Sequence, residues 1–502
     1  MASRFHHKNM RWRAWVTNMS FKSIKLSSIF LLRLKLKSIV PILFLLTFVG
    51  VIVLDTFAPA RAQFPAPMPI PPQPQFPTPQ PIPPQPQFPQ PVPIPIPMPQ
   101  TQPFPPAETD EFPQPVPVPQ PVPQPQPVPQ PIPQPVPQPV QRVQRPGQQI
   151  RGVWMTNNDL DILRDRTKAG EAMDKLRKLN FNTVYPVVWN SGYVMYPSEV
   201  AQRAEIQPFV YRGTEGHDII ADVINQAHRR GLLAIPWFEF GFMAPETSEL
   251  ALNHPEWLTR KRDGSQTSIS AAGEVAWLNP FHPEVQKFIS DLVLEIVTKY
   301  DADGIQFDDH MSLPHEFGYD RYTISLYTQE TGKAPPSNPQ DQAWMRWRAD
   351  KITAFMLQLN QAVKTRKPNA IVSVSPNYYN FAYKFQLQDW LNWVRLNIVD
   401  ELVMQVYRDD LSSFTSKITR PEIVETQQLN IPTGIGIMAG LRTRRIPIQQ
   451  IKSQVQAAQQ RGLGVAFFYY ESLWDTGPED PGQRQQGFQA VFPSPALRAR
   501  AD

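Results

Sequence analysis

Two consecutive carboxylates, Asp308 and Asp309, close the apolar run Gly304-Ile305-Gln306-Phe307 and are followed at once by His310. Alternation along an extended strand sends one side chain inward and the next toward a neighbouring strand or loop, so only one of the pair is expected to face a ligand directly. Hydrolysis of a glycosidic bond needs two carboxyl groups across the scissile bond, one to protonate the leaving oxygen and one to attack or to activate water. The expected partner is Glu471, which ends the run Phe467-Phe468-Tyr469-Tyr470; aromatic surroundings favour the protonated form that an acid catalyst requires. Glu239, in Pro236-Trp237-Phe238-Glu239-Phe240-Gly241, is the second choice on the same grounds. A strand-end carboxylate also has an ordinary use as a turn cap or an arginine partner, and Asp409-Asp410 reads as a solvated loop entrance.

His310 is expected to position a carboxylate, meet a substrate hydroxyl or sit satisfied at the rim. A metal site built from Asp308, Asp309 and His310 would need further ligands, yet His217, His254, His282 and His315 show neither H-x-x-x-H nor H-E-x-x-H spacing. No metal and no cofactor is therefore expected. The chain has no cysteine, which excludes a disulfide scaffold, a thiolate metal site and a cysteine nucleophile. It also lacks a P-loop and a strand-following G-x-G-x-x-G.

These side chains need a scaffold that brings distant residues together. After Arg151 the sequence alternates short apolar, β-branched or aromatic runs with helical periodicity, the pattern of repeated βα units. Eight runs are present, at 151–157, 182–190, 232–241, 303–310, 370–377, 401–408, 433–440 and 464–473. Eight such repeats predict an α/β fold, a (βα)8 TIM barrel over residues 149–490, whose active site forms where the strands end. That rim would carry Trp154 and Asn157 from the first run, Tyr185 and Trp189 from the second, and Trp237 beside Glu239 from the third. Asn377, Tyr407, Tyr470 and Trp474 follow from later runs. Indoles and phenols stack on sugar rings while carboxylates bind hydroxyls, so the census suits a carbohydrate.

The charge and proline excess lie elsewhere. Residues 1–62 hold ten Lys or Arg against one acid, Asp55, and contain the uncharged run Ile39 to Leu54 followed by Ala60-Arg61-Ala62. This is the arrangement of a secretory signal or, if uncleaved, of an N-terminal membrane anchor, and either places the remainder outside the cytoplasm, in the periplasm or cell envelope. The net charge of +5 therefore belongs to the export segment, and no nucleic-acid partner is expected. Of 59 prolines, 36 fall between Pro65 and Pro146, so residues 63–148 read as a disordered Pro/Gln-rich linker of polyproline II character.

The stretch from His254-Pro255-Glu256-Trp257 through Leu278-Asn279-Pro280 to Asp303-Gly304-Ile305-Gln306-Phe307-Asp308-Asp309-His310 resembles the glycosyl hydrolase-like 10 family. RGVWMTN, FNTVYPVVWN and ELVMQVYR extend the resemblance over roughly Gln149 to Asp475. It implies a (βα)8 barrel and exported enzymes that act on polysaccharide, among them relatives that cleave peptidoglycan glycan strands lacking stem peptides. The family's acidic strand-four motif falls on Asp308 and Asp309, and its Leu-Asn-Pro loop sets Asn279 beside the cleft. At PWFEFGF the chain departs from the shorter Ala-Trp pattern of many members. The expected function is an exported glycoside hydrolase; a non-catalytic wall-glycan-binding barrel and a metal-dependent deacetylase are the alternatives.

Overall fold

The structure, a computed structural model, describes residues 148–207, 217–270 and 273–498. The export segment and all of the linker but Gln148 lie outside the described residues. Among the described residues, no helix is long and apolar enough to cross a membrane.

The strands are β1 (Arg151–Met155), β2 (Thr183–Asn190), β3 (Tyr193–Val194), β4 (Leu233–Ala234), β5 (Trp237–Phe238), β6 (Met243–Pro245), β7 (Thr267–Ser270), β8 (Gly273–Trp277), β9 (Gly304–Asp308), β10 (Ile371–Ser375), β11 (Glu401–Gln405), β12 (Thr433–Met438) and β13 (Gly464–Phe468). All eight expected runs are barrel strands. The parallel order runs β1, β13, β12, β11, β10, β9, β5, β2, and β1 pairs with β2 as well, which closes the barrel. The third run is split into β4 and β5 around Pro236, which has no N–H to give to a ladder. β6, β8 and β7 form a separate antiparallel sheet in the connection that follows the third barrel strand.

Several helices begin under an Asp cap: Asp165, Asp218, Asp320 and Asp410 each accept backbone N–H groups of the first turn. Alternation then decides which strand residues enter the barrel. On β9, Ile305 and Phe307 belong to the apolar core, whereas Gln306 and Asp308 meet polar residues of other strands.

The barrel lumen is polar and its groups are paired. Trp154 Nε1 donates to Gln306 Oε1 at 2.6 Å, Gln306 Nε2 to Ser373 Oγ at 2.9 Å, and Ser373 Oγ to Glu401 Oε1 at 2.9 Å. Tyr185 OH also donates to Glu401 at 2.8 Å. At the opposite end from the carboxylate pair, the C-terminal segment returns to the first strand: Gln148 and Leu497 form a bridge, and Arg498 pairs with the buried Glu401. Removing one member of a buried ion pair leaves a charge without compensation. Arg498→Ala is therefore expected to lower stability to denaturant by about 3 kcal/mol. A loss under about 1 kcal/mol, close to that of a surface substitution, would show that Glu401 does not depend on this partner.

Candidate active site

The C-terminal ends of β9, β10 and β11 meet around the carboxylate pair. Asp308 is 1% exposed and Asp309 2%. Asp308 Oδ1 accepts from the Asp309 backbone N–H at 2.7 Å and from Gln405 Nε2, a side chain that also donates to Ser375 O at 2.8 Å. Asp309 lies close enough for its charge to act on Asp308, and its own Oδ2 accepts from Asn377 Nδ2 at 2.7 Å and Gln386 Nε2 at 3.1 Å. Its Oδ1 is buried and has no hydrogen-bond partner among the described residues.

Glu239 joins this pair from the loop after β5. Burial, and to a smaller degree the charges of Asp309 and Asp159, push its carboxyl up to about 7, against the opposing hydrogen bond from Asn190. Burial followed by the charge of Asp309 also holds Asp308 well above the usual carboxylate range, with Glu239 contributing in the same direction. Two of the three carboxyls thus favour a proton because burial and neighbouring charge disfavour ionisation. Glu239 Oε2 accepts from Asn190 Nδ2, and Asn190 Oδ1 accepts from Asn157 Nδ2 and from Ser191 Oγ at 2.6 Å. Gly241 lets this loop lie against the next: its φ is +48°, and a Cβ there would sit 2.4 Å from the His310 carbonyl oxygen. His310 in turn places Nδ1 2.8 Å from the Glu239 carbonyl oxygen, so Nδ1 carries a hydrogen and donates.

Trp154, Trp237 and Phe468 form an aromatic floor, with ring centroids 6.2 to 6.4 Å apart. Tyr407 adds its ring 5.6 Å from Phe468. Its phenol is raised by burial and then by Asp308, Asp309 and Glu239, which places it against the carboxyl cluster.

Several residues expected at the rim have other work. Both oxygens of Glu471 are taken by Arg442, at 2.9 and 3.1 Å, and the charges acting on Asp308 are those of Asp309 and Glu239. Trp189 is fully buried and donates Nε1 to Gly241 O at 3.0 Å, because on β2 it is the next residue, Asn190, that points to Glu239. Asn279 spends its amide on Asp320 and Thr323, both at 2.9 Å, and its oxygen on Phe281 N at 3.0 Å, which fixes the start of the helix Arg321–Thr331. Tyr470 and Trp474 are both buried and pack on each other at 5.7 Å, with Lys175 of the helix Arg166–Lys178 3.5 Å above the indole. These two side chains join the barrel to its outer helices.

Four participants escape the sequence census. Asn190 and Gln386 are amides that single out nothing by type alone, although Asn190 follows directly on the apolar Val187-Val188-Trp189. Gln405 had a signal, an amide at an inward position of the otherwise apolar Leu402-Val403-Met404. Asp159 had one as well, since Thr156-x-x-Asp159 is a capping box. It accepts from Glu471 N at 2.8 Å and Thr156 N at 2.7 Å, and burial pushes its carboxyl up to about 7 against those two bonds.

One ligand atom from each of Asp308, Asp309 and His310 lies within 4.8 Å of the others, a spacing compatible with a metal ion. Burial and the charge of Asp309 hold the Asp308 carboxyl well above the usual range, and a carboxylate ligand must lose that proton before it can bind an ion. Four buried polar atoms at this mouth have no partner among the described residues: Asp309 Oδ1, Asn157 Oδ1 and Gln386 Oε1 are acceptors, and Trp237 Nε1 is a donor. Buried polar atoms are normally satisfied, so a cluster of open ones marks where a hydroxyl-rich ligand would bind.

Residues 149–458 match the family model described as glycosyl hydrolase-like 10. Among curated proteins, the chain is similar to glycosyl hydrolase YngK of Bacillus subtilis, 24% identical over 231 residues, covering 44% of this chain and 42% of the relative. It is also similar to glycosyl hydrolase DigH of Escherichia coli, 23% identical over 311 residues, covering 53% and 66% respectively. The chain therefore spans less than two thirds of the length of either relative. Among solved structures, the PgaB (BpsB) glycoside hydrolase domain from Bordetella bronchiseptica superposes with a TM-score of 0.51 at 15% identity, covering 70% of this chain and all of that one. At that identity the likeness concerns the barrel fold.

Proposed function

Since the chain belongs to the glycosyl hydrolase-like 10 family, we propose that it is a glycoside hydrolase that cleaves O-glycosidic bonds in a polysaccharide with Glu239 and Asp309 as its working carboxyls. The observation that carries this is the convergence of three buried carboxyls with open hydrogen-bonding atoms at the C-terminal mouth of the barrel. Glu239, which exchanges its proton near neutrality, gives that proton to the glycosidic oxygen as the C–O bond breaks. Asp309 then acts at the anomeric carbon in one of two ways. Either it attacks and is later displaced by water, whose proton passes to the ionised Glu239, or it takes the proton of a water that attacks directly. Either way the carbon gains OH as the new reducing end. Asp308, whose carboxyl burial and the charge of Asp309 hold well above the usual range, is tied to Gln405 and holds the strand end in place. The aromatic floor is buried, and the half-buried Tyr407 beside it is the ring that meets the apolar face of a sugar.

Peptidoglycan glycan is the substrate we favour, and the cell envelope the location. The support is the resemblance of the acidic strand-four motif together with the basic, apolar leader and the proline-rich stretch in front of the barrel. The test is product analysis. The full chain incubated with purified glycan strands stripped of stem peptides is expected to release oligosaccharides with new reducing ends, and to do so faster than from strands that keep their peptides. Cleavage of an unrelated neutral polysaccharide, with denuded glycan left intact, would refute the substrate while leaving the chemistry in place.

A further inference from the structure

The strand β2 ends on Asn190 and reverses at once into β3, with Asn190 facing Tyr193 across a two-residue turn of Ser191 and Gly192. Both turn residues take positive φ, +55° and +80°, as two-residue hairpins favour. Glycine adopts this conformation freely, whereas Ser191 carries a Cβ and is strained in it. We propose that Asn190 is a positioning residue for the acid: its amide, locked by Ser191 and Asn157, holds Glu239 Oε2 as an acceptor and leaves Oε1 to carry the proton given to the glycosidic oxygen. The assignment rests on the hydrolase reading above for the role of Glu239.

The lock is a matter of donors. Asn190 Oδ1 accepts from Ser191 Oγ at 2.6 Å and from Asn157 Nδ2, which crosses from the segment after β1. In its left-handed conformation the Ser191 hydroxyl reaches back to the preceding side chain, which gives the strain a use. With two donors on its oxygen, the amide can offer Glu239 only its nitrogen, and Nδ2 donates to Glu239 Oε2. That nitrogen accepts no proton, so a protonated Glu239 carries its hydrogen on Oε1. Oε1 has no hydrogen-bond partner among the described residues. Glu239 is 8% exposed, more than either aspartate, and its free oxygen is not among the sealed ones, so it reaches the cleft.

The titratable groups that face Glu239 are Asp308 and Asp309 at the end of β9, Asp159 beyond β1 and Tyr407 beyond β11, while His310 holds its backbone carbonyl. Burial favours the protonated carboxyl, the Asn190 N–H opposes it, and the charges of Asp309 and Asp159 add to burial. A donor favours the ionised form, so losing it moves the Glu239 titration upward and carries the alkaline limb of the rate with it. A side chain that only filled space would leave that limb where it is.

The test follows the Glu239 carboxyl itself. In the full chain labelled with carbon-13 at glutamate carboxyls, the Glu239 resonance is the one lost in Glu239→Gln, and its titration midpoint is read by NMR. In Asn190→Ala that midpoint is expected to rise by about one pH unit, the worth of a hydrogen bond to a charged group. The alkaline limb of kcat should rise with it, while kcat at its plateau falls by up to about a hundredfold at nearly constant KM. Ser191→Gly removes the hydroxyl and relieves the backbone, so it should move the midpoint the same way by less, with a thermal midpoint within a few degrees of wild type. An unmoved or lowered midpoint in either variant would overturn the proposal, since a fall would mean that the amide oxygen faces the acid. The resonance is read in the free chain, so a wild type that releases no reducing ends while the midpoint still rises would remove the hydrolase reading and leave the amide lock standing.

Discussion

Asp309→Asn is expected to lower kcat/KM for glycan cleavage by about a thousandfold, inside the range of roughly 10² to 10⁴ for loss of a group that works in the transition state. The fold should survive it. The oxygen that accepts from Asn377 and Gln386 can remain an oxygen, while the new amide nitrogen takes the position of Oδ1, which has no partner among the described residues. A thermal midpoint within a few degrees of wild type would confirm that the loss is chemical. Asp308→Asn is expected to behave differently. Asp308 favours its proton because it is buried beside the charge of Asp309, and an amide resembles a protonated carboxyl, so a loss of only about tenfold should follow. The adjacent acids are thereby distinguishable by kinetics although they are neighbours in sequence.

The second large effect concerns Glu239. Its carboxyl is pushed up to about 7, so the protonated fraction that serves as acid falls as pH rises through that value. Wild-type kcat should therefore decline on the alkaline side of about pH 7, and Glu239→Gln should lose that limb together with about 10² to 10⁴-fold of its rate on natural glycan. A substrate whose leaving group needs no proton, such as an activated aryl glycoside, should recover most of the loss. Asp159 is also raised to about 7, so its own variant is the control. Asp159→Asn is expected to keep the alkaline limb, because Asp159 binds the backbone of Thr156 and Glu471 and fixes loops. If the limb moved with Asp159 and stayed in Glu239→Gln, the acid assignment would be wrong.

Much of this architecture is legible in the residues. The barrel strands follow from apolar runs set between helical stretches, because a strand buried on both faces must be apolar nearly throughout. Asp308 and Asp309 are equally visible, since two acids closing such a run need a reason. Ranking the partner carboxylates is where sequence falls short. Glu471 and Glu239 both sit among aromatics, and the difference between them comes from Arg442, a residue 29 positions from Glu471 that takes both its oxygens. The side-chain parity of β2 is a similar case: an indole attracts attention in a sequence, but Asn190 rather than Trp189 reaches Glu239. Trp474 and Tyr470 show the same bias toward ring-bearing residues, for they are spent on packing against outer helices.

The central claim is that one buried carboxyl cluster, Asp308, Asp309 and Glu239, cleaves glycan. The most direct measurement is the rate of reducing-end release from the same purified, peptide-free glycan by the wild-type chain and by its Asp308→Asn, Asp309→Asn, Glu239→Gln and Glu471→Gln variants. Release by wild type and by Glu471→Gln, a modest deficit in Asp308→Asn, and near-silence in Asp309→Asn and Glu239→Gln is the expected pattern. Full activity in both Asp309→Asn and Glu239→Gln, or loss confined to Glu471→Gln, would contradict it.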